Sequence, residues 1–383
     1  MRIFLVYHPS GNLSVPNSTT WYKNLYAPLF DIGHEVYPLR LDEFCEKHQV
    51  VFRSKKYKEL VCNEIKEVFE AEHQKNPFDL FFAYLTNNDI ESSVIDEIKK
   101  SGVPTANFSC NNTHQFHLVE AISPSFDYNL YSEKDAVDKF KKVGANAIWF
   151  PMAANPNYYF PKKGAFNYDV SFIGAAYAKR AYYIEHLFKE KVEVDCFGPN
   201  WLINKPNARI KKIKKETERL RWIIEAFFSI SPKNRMNLSI KIGNFDIMNY
   251  LREQNYGHFH YPISDEEMID IVSVSKINLG FLEVFSEFGE KKIQQHLHLR
   301  EFEIPMCGGL YITNYSDELT EFYEIGKEVI TFRNEYELTD KINYYLNHEN
   351  EAEKIRKAAF ERAINCHTYQ KRFTELFQKL NLK

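Results

Sequence analysis

Arg300 and Glu303 stand three residues apart on a short helix that ends at Gly308-Gly309. Residues at that spacing share a helix face, so a base and an acid are presented side by side. An apolar strand, Leu310 to Thr313, follows at once, then a polar loop, a further helix and a second strand closing at Phe332. Ligands bind open α/β sheets at such junctions of strand edge and helix terminus. A planar guanidinium can hold two oxygens at once. A carboxylate accepts only, and can take two donors. The competing reading is a plain Arg300–Glu303 salt bridge.

A second cluster surrounds Gly174, which ends the apolar run Val170 to Ile173 and opens a loop leading to Lys179 and Arg180. Glycine there lets backbone approach a ligand closely, and the two cations sit at the start of the next helix. In the first half of the chain the polar candidates follow strands: Asn12, then Asn87, Asn88 and Asp89, then Asn111, Asn112 and His114. Amides cannot act as a general base, so Asp89 or His114 is left for that task. The six cysteines include no Cys-x-x-Cys pair, and neither an Asp-x-Asp triplet nor a histidine cluster offers a metal anchor. Walker, nucleophile-elbow and Gly-x-Gly-x-x-Gly patterns do not occur.

The elements that must position these groups alternate. Ile3 to Tyr7, Asp79 to Tyr84, Pro104 to Phe108 and Tyr128 to Ser132 read as strands, and Glu91 to Lys100 and Lys134 to Val143 as helices. Alternation of this kind predicts a mostly parallel sheet under covering helices. Val170 to Ile173 restarts the pattern, so 383 residues resolve into twin Rossmann-like α/β domains. Pro151, Pro156, Pro161 and Gly164 mark the break between them. Ser264, followed by Asp265, Glu266 and Glu267, reads as a helix N-cap. The net charge of −3 argues against a nucleic-acid binder, and no run reaches the roughly 20 apolar residues of a membrane span. A cytoplasmic protein is expected, at most peripheral at the inner face of the plasma membrane.

Phe302 to Thr313 and the run Arg300-Glu301-Phe302-Glu303 resemble the donor-binding segment of GT-B glycosyltransferases of the group 1 type, most closely the spore-maturation CgeB-like group. The likeness extends to Phe126 to Ser132, Gly144, Trp149 to Ala153 and Asn155-Pro156, and to Tyr261-Pro262, Ser275 to Gly280 and His367-Thr368-Tyr369 with Arg372. It covers about residues 80 to 200 and 256 to 375. It implies two Rossmann-like domains facing across a cleft, an acceptor-side domain over 1–160 and a donor domain over 161–366, with 367–383 a helix crossing back to the first. By the same resemblance Glu303 holds the ribose and Arg300 the diphosphate and its developing charge. Gly174, Lys179, Arg180, Tyr261, Asn278, Gly308 and Gly309 complete the nucleotide site, and Asp89 or His114 stands on the acceptor side. Two positions depart from the pattern. Gln295 stands where the first acid of the Glu-x7-Glu signature belongs, and Asn111-Asn112 where acids are frequent.

Residues 203–250 form an insertion relative to the compact family form. From Lys205 to Lys241 it holds 11 Lys or Arg against 3 Glu, an excess of eight positive charges within a chain of net −3. A basic amphipathic stretch of that kind can lie on an anionic membrane; the plainer reading packs its apolar side on the donor domain. The resulting expectation is a metal-independent transferase with no bound cofactor. It would move sugar from a UDP-, GDP- or dTDP-linked donor to a glycan, lipid-linked or protein acceptor in cell-surface polysaccharide synthesis. A non-catalytic nucleotide or carbohydrate binder with the same fold, and a membrane-docked scaffold, are the alternatives.

Overall fold

Strand Arg2–Tyr7 (β1) is fully buried from Ile3 to Tyr7. A strand apolar on both faces is stable only inside a sheet covered on both sides, which favours a parallel arrangement. The computed structural model, which describes residues 1–11, 15–176, 178–202, 247–253, 256–284 and 294–382, bears this out. β1 pairs in parallel with Glu35–Arg40 (β2) on one side and Leu80–Ala83 (β3) on the other. Thr105–Ser109 (β4), Tyr128–Tyr131 (β5) and Ala147–Trp149 (β6) extend the sheet in the order β2-β1-β3-β4-β5-β6. Pro38 cannot donate to a ladder, and it is accommodated because β2 is an edge strand.

A second parallel sheet is built from Tyr168–Ile173 (β7), Asp195–Phe197 (β8), Phe259–His260 (β9) and Ser275–Leu279 (β10). After the short pair Glu283–Val284 (β11) and Gln294–Gln295 (β12), it is completed by Tyr311–Asn314 (β13) and Ile330–Phe332 (β14). The order is β14-β13-β10-β7-β8-β9. Each sheet winds outward from its first strand and then restarts on that strand's other side. The switch falls between β1 and β3 in the first sheet and between β7 and β10 in the second. Helices on the two sides of a switch cover opposite faces, so a crevice opens beyond the carboxyl ends of those strands.

The chain divides into two units, one holding Met1–Leu13, Asn17–Tyr159 and Ala363–Lys383, the other Ser14–Pro16 and Phe160–Arg362. The helix Asp265–Ser273 opens with a complete capping box, in which Ser264 Oγ accepts from the Glu267 amide and the Glu267 carboxylate accepts from the Ser264 amide. Two further helices, Glu349–Cys366 and Tyr369–Lys379, end the chain. The basic stretch 205–241 and Asn12 lie outside the described residues. Among those described, no helix is long and apolar enough to cross a membrane.

The last helix belongs to the first unit. Phe373 is fully buried, edge-on to Phe82 at 5.7 Å and packed on Phe150 at 5.2 Å. Tyr369 donates to the Met152 sulfur at 3.4 Å, and the Gln370 amide to Asn155 at 2.8 Å. Phe373→Ala removes a buried ring from a well-packed site and is expected to destabilise the first unit by about 3–5 kcal/mol. Chemical denaturation reads this directly, and a loss below about 1 kcal/mol would mean that the helix is not part of that unit's core.

Candidate functional site

The switch of the second sheet carries a charged pair that joins its two sides. β7 ends at Ile173, and the first charged residue after it is Lys179; β10 ends at Leu279, and the first after it is Glu283. Their side chains meet across the crevice, Lys179 Nζ to Glu283 Oε1 at 3.5 Å. Tyr183, one turn into the helix Arg180–Lys189, also donates to that oxygen at 3.3 Å. Glu283 is 8% exposed, and among the described residues its Oε2 is buried without a hydrogen-bond partner. The expected cost of such an oxygen marks it as a place where a donor is wanted.

Gly174 lies at the carboxyl end of β7, as expected. A Cβ there would stand 2.7 Å from Phe172 Cζ, its carbonyl accepts from Trp201 Nε1 at 2.7 Å, and its amide donates to the Phe197 carbonyl at 2.9 Å, which fixes the loop against β8. Arg180 opens the following helix and reaches the same loop. Its guanidinium donates to the carbonyls of Ala175 and Phe281, each at 3.3 Å, and lies over the Phe172 ring. It ties the two crevice loops together.

The helix Arg300–Met306 runs into β13, so its first turn stands at the carboxyl edge of the sheet and its last at the amino edge. Arg300 and Glu303 are joined in an i,i+3 ion pair, with the carboxylate buried and the guanidinium partly exposed. The two groups that the resemblance assigns to diphosphate and ribose are thus partners of one another. Between them Glu301, 1% exposed, accepts from the Tyr311 hydroxyl at 2.5 Å and from the His298 amide, and burial raises its carboxyl above the usual range. His296 stacks on His298 with ring centroids 4.2 Å apart.

Gly308 and Gly309 follow this helix and so lie at the amino edge, away from the crevice. Gly308 takes a left-handed φ of +73°, and a Cβ on Gly309 would sit 2.8 Å from Asn278 Nδ2 and Ile304 Cγ2, so both serve helix–sheet closure. Asn278 is buried inside β10, accepting from Ser171 Oγ at 3.0 Å and donating to the Val272 carbonyl at 3.3 Å. Tyr261 follows β9, two strands beyond β7, and is exposed. Glu283 escaped the sequence reading. Its signal was a lone acid within the apolar run Leu279 to Phe285. β11 and β12 pair antiparallel with Glu283 opposite Gln295, and directly opposed residues project to the same face. An acid therefore stands across from the position where the signature acid is missing.

In the first unit, a cavity of about 250 Å³ opens at the β1/β3 switch, with His8, Trp21, Arg53, Tyr84, Asp89 and Asn111 among its walls. Asp89 is fully buried, and both oxygens are used. Arg53 donates to them at 3.0 and 2.9 Å, the Thr86 amide and hydroxyl at 2.8 and 2.6 Å, and Tyr57 at 3.3 Å. Each of these donors favours its ionised form. The Asn111–Thr113 loop is held by a residue the sequence reading passed over. Buried Glu133 accepts from the amides of Asn111 and Thr113 at 2.6 and 3.0 Å and from Ser132 Oγ at 2.6 Å.

His114 is nearly buried and does not line the cavity. Burial, with Lys139 and His117 adding to it, lowers its imidazole from 6.5 to about 4. The unfolded chain then takes up the proton first, so stability present above pH 6.5 is lost as pH falls toward 4. His114→Gln is expected to flatten that acid limb by on the order of 2–3 kcal/mol. Denaturation at a series of pH values checks this, and an unchanged limb would place the ring in water.

Among the described residues, no three His, Cys, Asp or Glu side chains converge as metal ligands. No curated protein matches the chain in sequence. The model of the glycosyl transferase-like family matches residues 219–378. Solved structures resemble the whole chain at low identity. HepE of Anabaena, in complex with UDP and glucose, superposes with a TM-score of 0.58 at 12% identity, over 100% of this chain and 99% of that one. Sucrose-phosphate synthase of Thermosynechococcus elongatus gives 0.61 at 11%, over 99% and 98%. AviGT4, a glycosyltransferase of avilamycin A biosynthesis, gives 0.56 at 13%, over 99% and 97%. Residues 219–378 thus match a glycosyl transferase-like family model, and the chain as a whole has a GT-B fold of two Rossmann-like α/β domains.

Proposed function

We propose that this chain transfers a sugar from a nucleotide donor, UDP-linked by preference, to an acceptor in cell-surface polysaccharide synthesis. The observation that carries the proposal is the second unit's switch crevice, where the Gly174 loop, the N-terminus of Arg180–Lys189 and the Lys179–Glu283 pair come together. Helix N-termini present unpaired amides to anions, and an ammonium beside them adds positive charge where the leaving diphosphate develops negative charge. The complexes of HepE with UDP and with UDP-glucose support the choice of nucleotide. The Arg300–Glu303 motif supports the finer CgeB-like reading. In this proposal the pair opens on binding, the guanidinium moving to the diphosphate and the carboxylate to the ribose. Lys179, Arg300 and the helix terminus would then do the work that a divalent ion does in other transferases.

The mutual pairing of Arg300 with Glu303 also suits a protein that binds a nucleotide sugar without turning it over. Release of free UDP from UDP-sugar separates the two. A thermal-shift series over UDP, GDP, dTDP and their sugars is expected to show stabilisation strongest with UDP and lost in Lys179→Ala and Glu303→Ala. Absence of a response to any nucleotide would overturn the nucleotide site. Docking of residues 205–241 on anionic membrane remains part of the proposal. Deleting them should abolish salt-sensitive sedimentation with anionic vesicles, and unchanged sedimentation would remove it.

Glu283 is assigned to the donor sugar, its Oε2 accepting a hydroxyl. Glu283→Gln keeps a Tyr183 partner but removes the counter-charge of Lys179. UDP affinity should hold or rise, while kcat/KM for the full donor falls at least about tenfold, as expected for the loss of a charged hydrogen bond. Equal loss of UDP binding would show that the residue acts only through the fold.

A further inference from the structure

Among the described residues, the cavity at the first unit's β1/β3 switch is polar, aromatic and without uncompensated charge. Trp21 and Tyr84 meet edge to face at 4.9 Å on one side, and His8 packs on Phe52 at 4.8 Å on another. Its one guanidinium and its one carboxylate, Arg53 and Asp89, neutralise each other. Burial lowers the His8 imidazole, so the ring is neutral at pH 7; it also pushes the Cys110 thiol up to about 12 and raises the Tyr84 phenol. The remaining polar groups among the described wall residues are the carboxamides of Asn111, Asn112 and Gln115 and the hydroxyls of Ser10, Ser109 and Thr86.

This combination selects among ligand classes. A phosphate or carboxylate entering the cavity would lose its water and meet no free counter-charge, which is costly. The Asn112 amide already donates to Ser109 Oγ at 3.0 Å, and a purely apolar chain would strand those of Asn111 and Gln115. A neutral polyol satisfies both constraints, because its hydroxyls exchange water for carboxamides and its C–H faces cover the rings. The walls are also pre-formed. Asn111 takes a left-handed φ of +62° and is held there by the Glu133 carboxylate, so its position does not depend on a ligand. We propose that this cavity holds a neutral sugar unit of the acceptor glycan. This rests on the transferase reading above and narrows its acceptor to an uncharged saccharide end.

The test uses the full chain, with saturation-transfer NMR and titration calorimetry. The probes are methyl glucoside, galactoside, mannoside and N-acetylglucosaminide and their neutral disaccharides, with methyl glucuronoside and glucose 6-phosphate as charged counterparts. At least one neutral saccharide should bind and the charged ones should not. Asn111→Gly, which tolerates the left-handed backbone, and Gln115→Ala should each weaken binding about tenfold. Thermal stability and the UDP response should stay unchanged in both variants. Tighter binding of the charged sugars would overturn the proposal. So would no neutral binding in a chain that still responds to UDP, or wild-type affinity in both variants. Saccharide binding in a chain that ignores every nucleotide would count against the transferase reading and leave this cavity a sugar site.

Discussion

The controlling constraint is that strands in a parallel sheet all point one way. Each connection must return along a covering helix, so every strand releases its chain at the same edge. Where the winding reverses, two such exits diverge to opposite faces and leave a gap between them. Both units of this chain are built on that geometry, in the order β2-β1-β3-β4-β5-β6 and in the order β14-β13-β10-β7-β8-β9. The gap exists before any side chain is chosen. What distinguishes the two gaps is chemistry: an ammonium and a carboxylate still open to competition in one, and charges already cancelled in the other.

The parts of this arrangement that were legible in the sequence are those carried by local pattern. The runs Ile3 to Tyr7 and Val170 to Ile173 announce buried parallel strands, and Ser264 with Glu267 announces a capped helix that the structure reproduces. β2 was hidden because Pro38 demotes a strand unless it lies at an edge, and edges are a tertiary property. Asn278 shows what local pattern omits: inside the covered sheet its carboxamide hydrogen-bonds to Ser171 Oγ and the Val272 carbonyl, and the first of these partners comes from another strand.

Glu283 and Asp89 show the same limit from opposite directions. Glu283 acquires meaning only from Lys179, 104 residues earlier, and from the register that sets it opposite Gln295. Asp89 sits where a base is wanted, yet Arg53, 36 residues earlier and itself in a left-handed backbone conformation at φ +58°, consumes it. Spacing along a chain reports which groups share a helix face; it carries no information about partners brought in from another strand. Arg300 and Glu303 lie on the legible side of that line, and so does their mutual pairing.

The return of the last helix to the first unit bears on how the chain is made. A ribosome releases Phe82 and Phe150 long before Phe373, and the residues Phe160–Arg362 of the other unit must be synthesised in between. At elongation rates of about 5–20 residues per second, that interval is on the order of 10–40 s. For that time the nascent first unit shows an apolar groove that no local segment can fill. The protein therefore depends on holding an unfinished domain soluble while a complete one is translated behind it.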